Sequence, residues 1–174
     1  MEFRPAVEAD YAEIINLVNV AFRGSGPSVS WNIEAGIIEG QRLTDSLLRE
    51  DLAAKPNALL LIHRDAADGL LLGTVWLEPS KDGVWYLGLL TVRPDEQNRQ
   101  LGRTLLAAAE DFAKQRGAIC IRMTVVNVRD TLIAWYQRRG YAATGETKPF
   151  PYGDNRIGTP LRDDLNFVVL EKYI

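Results

Sequence analysis

Cysteine and histidine are almost absent from this chain. Its 174 residues include one of each, Cys120 and His63. An internal disulfide needs two cysteines, and the usual zinc sites need several Cys or His ligands. The sequence therefore excludes an internal disulfide and a zinc site of the usual kind. The same shortage disfavours Ser-His and Cys-His catalysis. Because Cys120 lies in an apolar run with Ile119 and Ile121, we interpret it as a core residue.

Long hydrophobic runs and an excess of positive charge are also missing. No apolar run approaches the roughly 20 residues that a membrane helix requires. Residues 1–5 lack the basic start and apolar stretch of a signal peptide. The formal net charge of −3 gives no electrostatic reason to expect nucleic acid. The sequence therefore predicts a cytoplasmic protein that binds neither nucleic acid nor a membrane.

The composition is that of a packed domain, with 47% hydrophobic and 25% charged residues. A chain of this length buries about two-thirds of its unfolded surface and needs no disulfide or metal to do so. No internal repeat, low-complexity tract or long linker divides the sequence. We therefore predict one domain over residues 1–174.

The first third of the chain predicts a short strand and two helices. After a strand over residues 2–7, Asp10 and Glu13 have the spacing of a capping box at a helix start. An apolar face follows at Ile14, Leu17, Val18, Ala21 and Phe22. A second helix is predicted from about residue 31 to residue 51.

The rest of the chain predicts a three-stranded meander followed by alternating helices and strands. Short apolar runs at 58–63, 70–78 and 84–92 are separated by polar turns. A helical stripe then covers 101–113, a strand 118–126, a helix ends at Gly140, and the last strand is 165–173, after a loop over 148–160. The order β-α-α-β-β-β-α-β-α-β-β indicates an α/β fold with a central mixed sheet flanked by helices.

One junction between a strand and a helix carries chemical information. Residues 92–106 join a buried strand to the start of an amphipathic helix, where free N–H groups and the helix dipole favour an anion such as pyrophosphate. Arg99 and Arg103 add positive charge at the rim. On spacing alone, an ordinary helix start is the favoured interpretation of this segment.

The residues of this junction resemble the GNAT superfamily of acetyltransferases. That family carries Gln/Arg-x-x-Gly-x-Gly/Ala after a Val-x-Pro, and this chain has Val92-x-Pro94 and then Gln97-x-x-Gln100-x-Gly102. Gln100 replaces the first glycine, and we expect a helical backbone there that tolerates its Cβ. Residues 145–152 also resemble a loop of a bacterial subgroup of this superfamily.

A second motif, residues 132–141, resembles the later helix of the same superfamily. There a tyrosine, here Tyr136, lies near the CoA sulfur and protonates the leaving thiolate. Tyr136 also stands four residues after Leu132, which is core spacing, so both roles stay open. Arg129 occupies the place of a family asparagine, and Asn127, two residues earlier, is either a cofactor contact or a helix cap.

The resemblance implies that acetyl-CoA is the acyl donor and that no metal takes part. It also implies that the parallel strands 84–92 and 118–126 splay apart to admit the pantetheine arm. A backbone N–H near Leu90 then polarises the thioester carbonyl. Tyr136 is the predicted catalytic residue. The predicted cofactor contacts are Leu90, Thr91, Val92, Gln97, Asn98, Arg99, Gln100, Leu101, Gly102, Arg103, Thr104 and Asn127.

The acceptor implied by the resemblance is a primary amine of a small molecule or peptide. We expect it in a cleft bordered by the first two helices and the loop before the last strand. Acidic residues there, such as Glu34 and Glu39, favour a cationic amine. The sequence singles out no general base among Glu34, Glu39, Glu78 and His63, and its candidate aromatic walls are Trp31, Trp76, Trp85 and Tyr152.

Two other functions remain compatible with the sequence. One is a CoA-binding sensor of the same fold with little catalysis, which Gln100 and the lack of a carboxylate on strand 84–92 favour. The other is a protein-interaction domain without a cofactor. A homodimer formed through the strand 165–173 is possible with any of these functions.

Overall fold

A computed structural model describes residues 2–24, 34 and 36–174, with the backbone alone at residues 97–99. The α-helices within these residues are α1 (Tyr11–Arg23), α2 (Asp45–Ala54), α3 (Leu101–Lys114) and α4 (Asp130–Gln137). The strands are β1 (Glu2–Pro5), β2 (Ile38–Glu39), β3 (Leu59–Arg64), β4 (Leu71–Pro79), β5 (Val84–Val92), β6 (Cys120–Val126), β7 (Ala142–Pro149), β8 (Thr159–Pro160) and β9 (Asn166–Tyr173). No helix in this described part is long and apolar enough to cross a bilayer.

Seven strands form one sheet in the order β1-β3-β4-β5-β6-β9-β7. Its pairs are antiparallel except β5 and β6, which run parallel. The predicted meander is confirmed as β3-β4-β5, and so is the α/β class with a mixed sheet flanked by helices. A second, two-stranded sheet pairs β2 with β8.

The central strands are buried on both faces of the large sheet. On one face Leu61 belongs to a hydrophobic cluster that includes Leu105 and Ala109 of α3. On the other face Ile62 belongs to a cluster with Ile14 of α1 and Leu48 of α2. Successive side chains of a strand point to opposite faces, so burial on both sides explains why β3 reads as a continuous apolar run.

A third, smaller cluster lies apart from these two. It comprises Ile38 of β2, Val126 at the end of β6, Phe150 and Leu165. The loop before β9 is held against β2 in this region, where Gly158 has φ +114. A Cβ on Gly158 would lie 2.5 Å from the Glu39 carbonyl oxygen, so the contact between the two segments requires glycine.

The predicted second helix begins much later than its pattern suggested. Of the predicted span, residues 31–33 and 35 lie outside the described part, and residues 38–39 form strand β2. Helix α2 starts after Thr44, whose Oγ1 accepts a hydrogen bond from Leu47 N at 3.2 Å. Gly36 and Gly40 have φ values of +82 and +88, and this left-handed backbone is incompatible with a continuous helix.

The predicted capping box at Asp10 and Glu13 is wrong. The Asp10 side chain makes no cap hydrogen bond to α1. Its carboxylate instead accepts from Val7 N at 2.9 Å, Arg4 Nη1 at 2.8 Å and Arg64 Nη2 at 3.0 Å. The hydrogen bond from Arg4 is the main reason that the pKa of Asp10 falls to about 2. Asp10 therefore ties β1, the start of α1 and the end of β3 together.

The strand predicted to pair with a second subunit is in the interior of the sheet. Strand β9 lies between β6 and β7, so both of its edges are already hydrogen-bonded. Among the described residues, the edge strands of the sheet are β1 and β7. All eight residues of β7 are exposed. A homodimer remains a prediction, but β9 cannot be the strand that forms it.

Candidate active site

The parallel strands β5 and β6 separate along their length. They pair at Val84 with Cys120, Trp85 with Ile121 and Tyr86 with Arg122, and at no later position. Just beyond these pairs, the hydroxyl groups of Tyr86 and Thr124 lie 3.3 Å apart across the base of the gap. The splay expected of strands 84–92 and 118–126 is confirmed, and it leaves backbone groups of both strands facing an open gap.

A β-bulge bends β5 where it faces this gap. Against β4, Thr91 pairs with Thr74 and Gly88 with Trp76, so Leu89 and Leu90 together oppose the single residue Val75. Leu89 has φ +49, and Thr91 Oγ1 donates to the Leu89 carbonyl at 2.8 Å. Bulges re-aim a strand's backbone groups, and they are common next to active sites. Sequence reasoning did not predict this one.

The loop after β5 has the form of an anion site at a helix start. A 3₁₀ turn over Pro94–Arg99 leads to Gln100 and then directly into α3. The first helical hydrogen bond runs from Thr104 N to Gln100 O at 3.0 Å, so the N–H groups of residues 101–103 lie outside the helix ladder. Leu101 and Gly102 are buried, whereas Arg103 and Thr104 are exposed.

Gln100 does not have the helical backbone that we expected. Its φ of +58 and ψ of +23 are left-handed, the conformation for which the glycine of the family pattern is suited. The expectation failed because the turn from the 3₁₀ segment into α3 reverses the backbone at this residue. For the neighbouring Gln97, Asn98 and Arg99, the structure describes only the backbone of the turn.

A basic cleft adjoins the first turn of α3. It is lined by Arg103 and Glu110 of α3, by Arg138 and Arg139 after α4, and by Lys172 of β9. Lys172 Nζ is paired with Glu110 at 2.8 Å. The cleft thus holds one carboxylate against four cations, and it continues the positive surface at the helix start.

A cavity of about 180 Å³ opens where β5 and β6 have separated. Residues 87–90 of β5 and 123–126 of β6 form its sides, with Leu132 and Tyr136 of α4 below. Tyr136 is 6% exposed and its ring meets that of Tyr141 edge-on at 5.7 Å. Burial raises the pKa of the Tyr136 hydroxyl well above its usual range, so this group is protonated at neutral pH. Tyr136 is therefore both a core residue and part of the cavity wall.

The opposite wall of the cavity is polar. Glu34, Arg42 and Arg129 line it, together with Phe22 and Ile157. Glu34 is 4% exposed, and its carboxylate lies 3.9 Å from Arg23 Nη1. Of the four candidate bases, Glu34 alone lines this cavity.

The other three candidate bases lie elsewhere. His63 is on β3 opposite Phe3 of β1, and burial lowers its pKa. Glu39 is exposed on β2. The Glu78 carboxylate pairs with Lys55 Nζ at 3.0 Å, and Glu78 is not part of the cavity lining.

The predicted aromatic walls are mostly structural residues. Trp76 and Trp85 are buried in the two main clusters. The Tyr152 hydroxyl donates to Arg162 O at 2.8 Å and accepts from Leu165 N at 2.9 Å, which fastens the loop before β9. Trp31 lies outside the described residues. Besides Tyr136, the described aromatic residues that line the cavity are Phe22, Tyr86 and Phe167.

Asn127 holds the loop before β9 rather than capping α4. Its side-chain amide donates to Asp164 O at 3.0 Å, and its side-chain oxygen accepts from Asn166 N at 3.0 Å. The residue at the N-cap position of α4 is Arg129. The cap interpretation is therefore wrong, and a cofactor contact by Asn127 stays a prediction.

Comparison with known sequences supports one family. The model of the acetyltransferase (GNAT) family matches residues 21–141. An IAA acetyltransferase of Azospirillum brasilense is 29% identical over 115 residues, 66% of this chain and 72% of that protein. A mycothiol acetyltransferase of Beutenbergia cavernae is 33% identical over 86 residues, which is 49% of this chain and only 29% of that protein's length.

Solved structures show the same fold. A ribosomal-protein-alanine N-acetyltransferase from Brucella melitensis superposes with a TM-score of 0.68 at 19% identity, covering 100% of both chains. A GNAT family acetyltransferase from Elizabethkingia anophelis with acetyl-CoA bound gives a TM-score of 0.57 at 17% identity, covering 75% of this chain and 84% of that one. With the family model matching residues 21–141 and the splayed sheet in place, the chain belongs to the acetyltransferase (GNAT) family.

Proposed function

We propose that this protein transfers an acetyl group from acetyl-CoA to a primary amine of a small molecule or peptide. The observation that carries the proposal is the gap between β5 and β6. One end of β5 runs into the helix-start loop, and the same strand lines the cavity that contains Tyr136. A single strand edge thus connects a site for phosphates to a site for the acyl group.

The described residues suit acetyl-CoA. In our proposal the pyrophosphate binds the N–H groups of Leu101, Gly102 and Arg103, beside the turn formed by residues 97–100 and the exposed Thr104. The basic cleft receives the remaining phosphate of the nucleotide. In this proposal the pantetheine amides lie along the β5 backbone at Leu90, Thr91 and Val92. Acetyl-CoA supplies the activated acyl group, as the acetyl-CoA-bound relative with the same fold suggests.

The proposed chemistry assigns one task to each polar group of the cavity. Glu34 accepts a proton from the ammonium group of the acceptor, which frees the nitrogen lone pair. The nitrogen attacks the thioester carbonyl, a C–N bond forms and the C–S bond breaks. The backbone N–H near Leu90 stabilises the charge on the carbonyl oxygen, and the Tyr136 hydroxyl gives its proton to the departing sulfur. The second proton of the attacking nitrogen goes to Tyr136, which leaves a neutral amide and a neutral tyrosine. Holding both reactants in one cavity supplies much of the acceleration.

Calorimetric titration with acetyl-CoA at fixed salt tests this proposal first. We expect micromolar binding, followed by thiol release when a panel of amines is added. The Gly102→Glu variant should lose binding, because it places a bulky anion where the pyrophosphate lies. Gln115→Glu adds the same charge at the other end of α3 and should bind like the original chain. Absent binding by the original chain, or undiminished binding by Gly102→Glu, would contradict the assignment of the loop.

A second candidate function is a CoA-binding sensor with little catalysis. The left-handed Gln100 favours it, since a residue with a Cβ at this position departs from the family pattern. This function predicts acetyl-CoA binding without release of thiol by any amine of the panel.

A further inference from the structure

Three arginines and one glutamate meet at the acceptor side of the cavity. Arg23 ends α1, Arg42 precedes α2, and Arg129 precedes α4. Glu34 is the carboxylate with the strongest charge interaction on each of the three guanidinium groups. Because these arginines come from segments far apart in sequence, no local sequence pattern predicted that they lie together.

Glu34 cannot neutralise this cluster. Its carboxylate is paired with Arg23, whose Nη2 also donates to the Ile157 carbonyl. Among the described residues, no carboxylate lies within ion-pair distance of the guanidinium group of Arg42 or of Arg129. Asp51, which acts weakly on Arg42, is already paired with Arg156 at 3.2 Å.

The part of the chain outside the description adds no negative charge here. Residues 25–33 and 35 contain no Asp or Glu. Among the described residues, the cavity lining therefore has two arginines, Arg42 and Arg129, and one carboxylate, Glu34, and that carboxylate is already shared with Arg23 behind the lining. This is the opposite of the acidic lining that we expected from Glu34 and Glu39.

Such an excess is costly in a partly buried site. Burial lowers the pKa of Arg23, Arg42 and Arg129, which is the sign of guanidinium groups that have lost water. The Arg42 guanidinium makes a cation–π contact with the Phe22 ring, whose centroid is 5.6 Å away. This contact does not cancel the positive charge of Arg42. An anion that enters the cavity gains charge-assisted, bidentate hydrogen bonds from such groups.

We propose that the acceptor is an amine that also carries an anionic group, a carboxylate or a phosphorus oxyanion, which Arg42 and Arg129 bind. This inference rests on the proposed acetyl transfer and specifies its substrate class. Glu34 in the same wall receives the ammonium end, so an amino-acid-like zwitterion matches both signs of charge. The cavity of about 180 Å³ lies below the roughly 300 Å³ at which drug-sized pockets begin, which suits a compact molecule.

Matched acceptors test the proposal on the original chain. Amino acids and aminoalkylphosphonates are compared with the amides and the decarboxylated amines of the same amino acids, at saturating acetyl-CoA. Thermal unfolding in the presence of CoA reports binding, and thiol release reports turnover. We expect kcat/KM for at least one anionic amine to exceed that for its neutral partner by tenfold or more. The same anionic amine should raise the unfolding temperature by more than its neutral partner does. The carboxylate and phosphonate arms decide which anion is preferred.

Two methionine variants then test whether Arg42 and Arg129 bind the anionic group of the acceptor. Arg42→Met should raise the KM of the preferred acceptor at least tenfold and leave the Kd of acetyl-CoA unchanged, and Arg129→Met should do the same. Arg42→Lys keeps the positive charge but not the two-pronged hydrogen-bonding geometry of the guanidinium group. Its KM should therefore lie between those of the original chain and Arg42→Met. Arg116→Met removes an exposed arginine just after α3, outside the cavity lining, and serves as the control.

The failure of this inference differs from the failure of the proposed function. If acetyl-CoA does not bind, acetyl transfer itself is wrong. If acetyl-CoA binds but amides and decarboxylated amines equal or exceed the anionic amines in both readouts, the inference is overturned. It is equally overturned if no anionic amine shifts the unfolding temperature.

Discussion

Gln100 has a backbone conformation that residues with a Cβ seldom adopt. It lies between the 3₁₀ turn and α3, where the backbone must reverse, and its φ is +58. The left-handed region costs an L-residue roughly 1–2 kcal/mol, and glycine avoids most of this. The chain has kept the conformation of the loop while losing the residue best suited to it.

Replacing Gln100 by glycine should therefore stabilise the protein. We expect Gln100→Gly to raise the free energy of unfolding by about 1 kcal/mol, less the entropy that glycine loses on folding. Gln100→Ala keeps the Cβ and should bring no gain. Urea unfolding monitored by circular dichroism measures both variants. A gain in the alanine variant would show that the glutamine side chain, and not the backbone, is responsible.

Tyr136 offers a second test at the scale of one residue. Tyr136→Phe should lower kcat by about a hundredfold, in the range of general acid catalysis, without changing the Kd of acetyl-CoA. Because its pKa is raised, we also expect kcat of the original chain to show no decline up to about pH 10 from this group.

The neighbouring Tyr141 provides the control for this test. Its hydroxyl donates to Glu110 Oε1 at 2.9 Å, away from the cavity lining. Tyr141→Phe should lose roughly 1 kcal/mol of stability and keep its kcat. If Tyr136→Phe behaves in the same way, Tyr136 is a core residue and the thiolate leaves without its help.

Helices and strands with a regular spacing of apolar residues could be predicted from the sequence. Features that depend on unusual backbone φ angles could not. Helix α3 has apolar residues at helical spacing, and its predicted bounds are close to Leu101–Lys114. The bulge at Leu89 arises from pairing with β4, which no single segment encodes. The second helix was predicted to begin at about residue 31, but it begins at residue 45, about 14 residues later. The difference arises because Gly36 and Gly40 interrupt the helical backbone.

Asp10 joins elements, and its loss should weaken all of them together. Its folded-state pKa of about 2 lies below the ordinary value of 3.8. The carboxylate therefore contributes roughly 2 kcal/mol to stability. That contribution is complete above about pH 4 and disappears as the pH falls through 2. Asp10→Asn should lower the free energy of unfolding by about this amount at pH 7, and the difference should shrink below pH 4.

A carboxylate in the same turn controls for the change of charge. Glu8 is exposed, and its ion pair with Arg49 at 2.9 Å lies on the surface, where such pairs contribute little. Glu8→Gln should leave both the stability and its dependence on pH nearly unchanged. Equal losses in the two variants would mean that net charge, rather than the contacts of Asp10, sets the acid stability.

For the whole molecule, the sequence predicted the fold, whereas it did not predict the charge of the cavity lining. The donor side is built from consecutive elements, β5, the loop and α3, so its residues follow one another in the chain. The acceptor wall combines Arg23, Arg42, Arg129 and Ile157, whose proximity depends on the complete tertiary structure. Sequence reasoning consequently named Glu34, which lines the cavity, and missed the arginines that surround it.

The separate hydrophobic cluster beneath the loop before β9 has a consequence for how this protein changes over evolutionary time. Ile38, Phe150 and Leu165 pack apart from the core that supports α3 and most of β5. Substitutions in this small cluster move Ile157 and its neighbours while the donor half keeps its shape. The acceptor end proposed for this molecule can therefore vary in sequence with little effect on the elements proposed to bind acetyl-CoA.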